Sequence, residues 1–259
     1  MKIKSSLLSE FFKKCSSGGL IYNGYINFEK RGIHFIGQKA SIMIYEGLIK
    51  KEVFENPTEY TELGKFVIRD INLAKNIVDS FPKIVEMVVG EDNYLLFRNE
   101  KRKVLMRLGS EDSIEDIPEP KLEYEKNIRI KIIDLKNLKK DFMILSNKSM
   151  PLVLFNLSGK ELNIEMSNNE DSIFNTIKFV EEQGFGKVLI DSDFLDKIFT
   201  TLNSEYVSLG IKTDFPLKIV ENVGNYTLSK WIIAPREYED EKNTSTKISE
   251  TDMGIEDLL

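Results

Sequence analysis

The same passage is written twice in this chain, 122 residues apart. Gly64-Lys65-Phe66-Val67-Ile68-Arg69-Asp70 returns as Gly186-Lys187-Val188-Leu189-Ile190-Asp191-Ser192. The match runs on without a gap: Leu73 falls on Leu195, Lys75 on Lys197, Val85 on Val207, Met87 on Leu209, Val89 on Ile211, Asp92 on Asp214, Leu95 on Leu217 and Phe97 on Ile219. Each copy reads as strand, helix, strand, turn, strand. The spacing exceeds the roughly 20–50 residue units of solenoids, so each copy is expected to be a domain. A chain duplicated in this way suggests a symmetric device more readily than an enzyme with a single pocket.

With 259 residues, each copy is long enough to bury its own core. A hydrophobic share of 41% and a charged share of 30% fit a soluble globular protein. No apolar run approaches the ~18 residues of a membrane span, and Met1-Lys2-Ile3-Lys4-Ser5 lacks the apolar core of a signal peptide. The single cysteine, Cys15, cannot form an internal disulfide, which points to a reducing, intracellular compartment. The net charge of −6 argues against a generally sticky nucleic-acid binder, though it leaves room for a local basic surface.

The periodicity predicts an α+β chain. In the first copy, about residues 1–117, it predicts a helix over 5–17 with Leu7, Leu8, Phe11, Phe12 and Cys15 on its apolar stripe and Lys13 and Lys14 towards the other side. Gly18-Gly19 stops that helix. Strands are expected over 20–28, 32–36 and 42–53, a helix capped by Asp70 over 70–81, and strands over 84–89, 94–99 and 103–108. Residues 118–127 are expected to connect the copies, within an acidic stretch (111–126) carrying Pro118 and Pro120. The second copy, about 128–237, reads as a strand over 129–133 and a helix over 134–147 with Lys136, Lys139 and Lys140 largely off its stripe. Strands follow over 152–156, 161–167, 174–180 and 187–190, then a helix over 192–202 and strands over 206–211, 217–221 and 227–233. Residues 238–259 are polar and mainly acidic and are expected to form a disordered tail; its apolar end could serve as a short peptide ligand.

The residues do not select an enzyme chemistry. His34, the one histidine, sits in the alternating run Gly32-Ile33-His34-Phe35-Ile36 and is expected to face solvent from a strand. Cys15 reads as a core residue. No cysteine–histidine cluster has metal spacing, and neither a phosphate-binding Gly-rich loop nor a Gly-x-Ser-x-Gly elbow is present. No catalytic residue, metal or cofactor is assigned. Asn225-Tyr226-Thr227 and Asn243-Thr244-Ser245 have the glycosylation pattern, which without a secretory signal reads as chance.

The most specific text lies late in the second copy. Thr213-Asp214-Phe215-Pro216-Leu217-Lys218-Ile219 is followed by Lys230-Trp231-Ile232-Ile233-Ala234-Pro235-Arg236-Glu237. This resembles the C-terminal region of sliding clamps of the proliferating cell nuclear antigen (PCNA) type, with Pro216-Leu217 and Ala234-Pro235 at the matching places. The N-terminal strand and helix with adjacent Lys13-Lys14, and the Gly32-Ile33 strand, are similar to that family too. Three departures stand out: residues 168–186 give no clear match, the tail is longer than usual, and Trp231-Ile232 stand where a tyrosine pair is often found.

The resemblance implies the clamp fold, two duplicated domains each with two helices packed on antiparallel sheets. It implies a homotrimeric ring that encircles double-stranded DNA without reading sequence, tethers a DNA polymerase, and is opened by an ATP-dependent clamp loader. Peptide-motif partners, such as a nuclease or a ligase, would dock outside it, and the work would be done inside the cell at replicating DNA. Lys13, Lys14, Lys75, Lys136, Lys139, Lys140 and Lys197 would face DNA. Ile42, Met43, Ile44, Leu122, Pro216, Ile232, Ala234 and Pro235 would form the partner pocket. Asp193 and Asp196 beside Lys197 already argue against a uniformly basic channel. Three other readings stay open: a subunit of a heterotrimeric or checkpoint-type ring, a monomeric duplicated-domain processivity or adaptor protein, and an enzyme whose carboxylates, distant in sequence, converge in a deep pocket.

Overall fold

The structure, a computed structural model, describes residues 1–90, 93–117, 122–124, 127–146, 151–168, 170–178, 184–224 and 226–237. The predicted tail (238–259) and most of the predicted connector lie outside the described residues.

Both copies resolve into the same succession of elements. The first runs β1 (Lys2–Lys4), α1 (Ser5–Cys15), β2 (Gly24–Glu29), β3 (Gly32–Lys39), β4 (Met43–Lys50), β5 (Gly64–Ile68), α2 (Ile71–Asp79), β6 (Ile84–Val89), β7 (Tyr94–Arg98) and β8 (Lys103–Arg107). The second runs β9 (Asn127–Lys131), α3 (Ile132–Leu145), β10 (Leu152–Gly159), β11 (Glu161–Ser167), β12 (Ser172–Lys178), β13 (Gly184–Asp191), α4 (Ser192–Thr201), β14 (Tyr206–Gly210), β15 (Leu217–Val223) and β16 (Thr227–Ile233). The expected α+β class holds, with two helices in each copy.

Local chemistry sets the helix limits. The Asp70 carboxylate accepts from the Leu73 N–H at 2.8 Å and caps α2, an interaction worth about 1 kcal/mol. Ile71, Ala74, Ile77 and Val78 then form the buried face. Helix α3 starts at Ile132, two residues earlier than the periodicity predicts, because β9 ends at Lys131.

The strands form three antiparallel sheets. Two have four strands, ordered β1-β6-β7-β8 and β12-β11-β10-β13; the third has eight, ordered β5-β2-β3-β4-β16-β15-β14-β9. The eight-stranded sheet is two four-stranded units, one from each copy, joined where β4 meets β16. Seven residue pairs make that seam, from Thr227 opposite Ile49 to Ile233 opposite Met43. Behind it, Tyr45 and Trp231 pack with ring centroids 5.2 Å apart, and Trp231 Nε1 donates to Ser17 Oγ at 3.0 Å. The helices cover the inner faces of the sheets, and Cys15 is fully buried among them, as its place on the apolar stripe requires.

The outer face of the first copy is not bare. The Gly109 N–H donates to the Val67 carbonyl at 2.8 Å, after which Ile114 and Ile117 pack over Tyr25, Ile36 and Val67. This cover corrects the expectation for His34. It is buried, not solvent-facing, with Nε2 3.2 Å from Glu46 Oε1. Alternation does send His34 to the face opposite Ile33 and Phe35, but that face lies under the segment leading to the second copy.

Candidate DNA-facing helices and partner surface

The four helices carry seven lysines, the seven proposed to face DNA. They also carry six carboxylates: Glu10, Asp79, Asp134, Asp141, Asp193 and Asp196. Their geometry sorts the lysines into three groups.

Lys14 does not face outward. It is 2% exposed, and its Nζ donates to Glu221 Oε2 at 2.7 Å and Asn203 Oδ1 at 2.8 Å. Glu221 is fully buried on β15, and its other oxygen accepts the backbone N–H groups of Asn203 and Ser204, each at 2.7 Å. The reason is the flank on which Lys14 lies. Helix α1 is covered by its own sheet and also, along one side, by the second copy, so a position that is polar by periodicity is interior by packing. The assignment of Lys14 to a DNA-facing role is therefore corrected.

Lys75, Lys139 and Lys197 are partly exposed but neutralised. Lys75 meets Asp79 at 2.6 Å and Lys197 meets Asp193 at 3.1 Å, both one helical turn apart, and Lys139 reaches across to Asp196 at 3.1 Å. Lys13, Lys136 and Lys140 have no ion-pair partner among the described residues. The free positive charge therefore lies on one end of α1 and on α3. A face of this kind suits weak phosphate contact more than tight binding.

Four of the residues proposed for the partner pocket, Ile42, Ile44, Ile232 and Ala234, come together at the seam. Ile44 stands opposite Ile232, and the Ala234 N–H donates to the Ile42 carbonyl at 2.7 Å, which sets Ile42 beside the chain leaving β16. Ile42 is exposed; Ile44, Leu122, Pro216, Ala234 and Pro235 are partly buried. Ile232 is buried in the floor between its neighbours. Met43 is corrected out of the pocket: alternation turns its side chain into the core, where it is almost fully enclosed.

Sequence reasoning missed Tyr124. Its O–H donates to the Pro216 carbonyl at 2.6 Å, its ring meets Phe215 edge-on at 5.4 Å, and Lys218 Nζ lies 4.2 Å from the ring centroid. Burial pushes the phenol up to about 12 and draws the Lys218 ammonium below its usual range. These interactions pin Tyr124 to the turn before β15. The available signal was that Tyr124 is the only aromatic residue between Glu111 and Lys126.

No family model and no curated protein matches the sequence, yet solved structures match the shape over almost its whole length. The PCNA of A. fulgidus, solved with the C-terminal region of FEN-1 bound, superposes with a TM-score of 0.80 at 20% identity, over 93% of this chain and 99% of that one. The PCNA of Entamoeba histolytica gives 0.76 at 16%, over 91% and 98%; that of Thermococcus kodakaraensis gives 0.74 at 14%, over 91% and 99%.

The fold is that of the PCNA sliding clamps.

The resemblance drawn from the Pro216-Leu217 and Ala234-Pro235 elements thus holds at the level of the fold. The helices pack against the face of the sheets that buries Met43 and Tyr45, whereas Ile44 lies on the opposite face. Among the described residues no helix is long and apolar enough to cross a membrane, and no group of His, Cys, Asp or Glu is arranged to hold a metal ion.

Proposed function

We propose that this chain is the subunit of a sliding clamp, a ring that encircles duplex DNA and tethers a polymerase and other replication or repair proteins to it. The reading takes residues 1–117 and 128–237 as the two domains and 118–127 as the connector. The observation that carries it is a pair of unused sheet edges. Inside the chain, β4 ends one four-stranded unit and pairs with β16, which ends another. The repeat puts β12 in the place of β4 and β8 in the place of β16, and both are terminal strands without a partner among the described residues. Each bears a large exposed apolar side chain, Leu105 at 65% on β8 and Phe174 at 72% on β12. Unpaired edges of this kind favour pairing with another chain. A second copy setting its β8 against β12 would repeat the internal seam head to tail, and a heterologous interface of this type closes into a ring when the rotation allows.

Such a ring holds DNA by enclosure. Lys13, Lys136 and Lys140 would meet phosphates loosely, leaving the ring free to slide and the bound polymerase at high local concentration. No step of this mechanism is a chemical reaction, so the chain would act without a catalytic site. Its opening would fall to a separate ATP-dependent loader. The Ile42–Pro235 surface would take apolar anchors of partner peptides, a C-terminal segment being the kind supported by the FEN-1 region bound to the A. fulgidus protein.

Mass measurement in solution tests the ring. The wild-type chain is expected to sediment as a homotrimer, and Leu105→Glu or Phe174→Glu, both exposed changes, should yield folded monomers. A wild-type monomer at high concentration would overturn the homotrimer and favour the adaptor reading. Primer extension on a singly primed circle, with cognate polymerase and loader, then asks whether the chain raises processivity.

A further inference from the structure

The repeat leaves one outer face covered and its counterpart open. In β2 and β5, Tyr25 stands opposite Val67 and Asn27 opposite Lys65; in β10 and β13, Leu154 stands opposite Leu189 and Asn156 opposite Lys187. The exit of the chain matches as well. After β8, the Gly109 N–H donates to the Val67 carbonyl at 2.8 Å; after β16, the Arg236 N–H donates to the Leu189 carbonyl at 2.8 Å. In the first copy the chain then runs on over the strands, with Ile114 and Ile117 packed down and Asp116 near Lys65, leaving a cavity of only about 190 Å³. In the second copy the same place is an open groove of about 530 Å³. Leu154, Leu157 and Leu189 line it, and Phe185, 77% exposed, stands at its side.

We propose that residues 238–259 of the same chain lie across this groove, as residues 110–117 lie across its counterpart. The segment begins directly after Arg236-Glu237, at the groove's edge, and its 22 residues are more than enough to span it at ~3.3 Å per extended residue. Charge selects it as the occupant. After Tyr238 it runs Glu239-Asp240-Glu241, and the groove offers the exposed ammonium of Lys187, which has no ion pair among the described residues and holds the place of Lys65, a residue that lines the first copy's cavity together with Asp116. The other charged residues of the lining are Arg236, already paired with Asp191, and Asp214. Tyr238 near the start of the segment, and Met253, Ile255, Leu258 and Leu259 near its end, supply apolar groups for the leucines and Phe185. The surface proposed for partner peptides is separate in its principal residues and shares Pro235, so a docked tail would border it.

Disulfide trapping in the full chain tests this. Asn156→Cys and Glu241→Cys place one thiol in the groove and one in the tail, while Cys15 is buried and out of reach. An intrachain disulfide is expected, forming at least ten-fold faster than in a background carrying Lys187→Glu and Leu189→Glu. Reversing Glu239 and Asp240 to lysine, which leaves the folded body untouched, should slow it as well. Equal rates in all backgrounds would show mere tethering and overturn the proposal. Interchain disulfides would assign the groove to a second copy's tail and overturn it equally.

Discussion

Lys14→Met removes one ammonium and keeps the buried aliphatic stem, which isolates the ion pair that joins α1 to the second copy. Glu221 is then left charged at zero exposure, still held by the N–H groups of Asn203 and Ser204. Breaking a buried pair from one side costs about 3–5 kcal/mol, and the two retained hydrogen bonds place this case near 3 kcal/mol. That is about a 150-fold fall in the folded-to-unfolded ratio. Urea unfolding at fixed protein concentration should show it as a lowered midpoint, by about 1–2 M for a slope of roughly 2 kcal/mol/M. Adding Glu221→Gln removes the stranded charge while keeping an oxygen for the two N–H donors, and most of the stability should return. If Lys14→Met lies within about 0.5 kcal/mol of wild type, or the double variant is no better than the single, Lys14 is not an interior lysine. A DNA-retention assay completes the test: Lys14→Met should leave the salt dependence unchanged, whereas a DNA-facing lysine would flatten it.

Other outcomes follow from the charges and the outer surface. The His34 hydrogen bond and Lys230 hold the Glu46 carboxyl down at about 2 despite its burial, so its stabilisation is complete above pH 4.5 and is lost as pH falls towards 2; Glu46→Gln should be less stable than wild type at neutral pH, with the two urea-midpoint profiles converging in acid. Lys136→Ala with Lys140→Ala should weaken retention on circular DNA and reduce its salt slope by roughly one unit for each phosphate no longer neutralised, while Lys75→Ala, whose charge is already met by Asp79, should do little. Ile42→Asp with Pro235→Ser should lower capture of partner peptides at least ten-fold in a titration while leaving the urea midpoint within the range of surface changes; unchanged capture would put the docking surface elsewhere.

The duplication was open to reading because it rests on periodicity: strands alternate and helices repeat their apolar stripe whatever the fold does with them. The Asp70 cap, the Gly18-Gly19 stop and the order of elements are properties of short stretches and were legible for that reason. Burial produced by parts of the chain distant in sequence was not. Lys14 sits on a polar flank that another part of the chain covers, and His34 sits on an outward strand position under Ile114 and Ile117. Met43 was assigned one residue out of phase, since a single step along a strand turns a side chain from surface to core. Leu105 and Phe174 passed as ordinary strand residues, because whether a strand is an edge depends on sheet order, which the sequence does not spell out.

The seam between β4 and β16 is permanent, held in one chain, and this freed it to become something a reversible interface cannot. It is reinforced by the ion pair of Lys14 with Glu221 and by the Trp231 indole on Ser17, groups that tolerate separation badly once deprived of water. The proposed seam of β8 with β12 has at most five residues on the β8 side and an apolar side chain on each strand. In a closed ring the two kinds of seam would alternate, stiff within a subunit and compliant between subunits. Mechanical work applied anywhere on such a ring collects at the weaker joints, so the site of opening would be set by which half of the duplication is covalently joined, before any loader touches it.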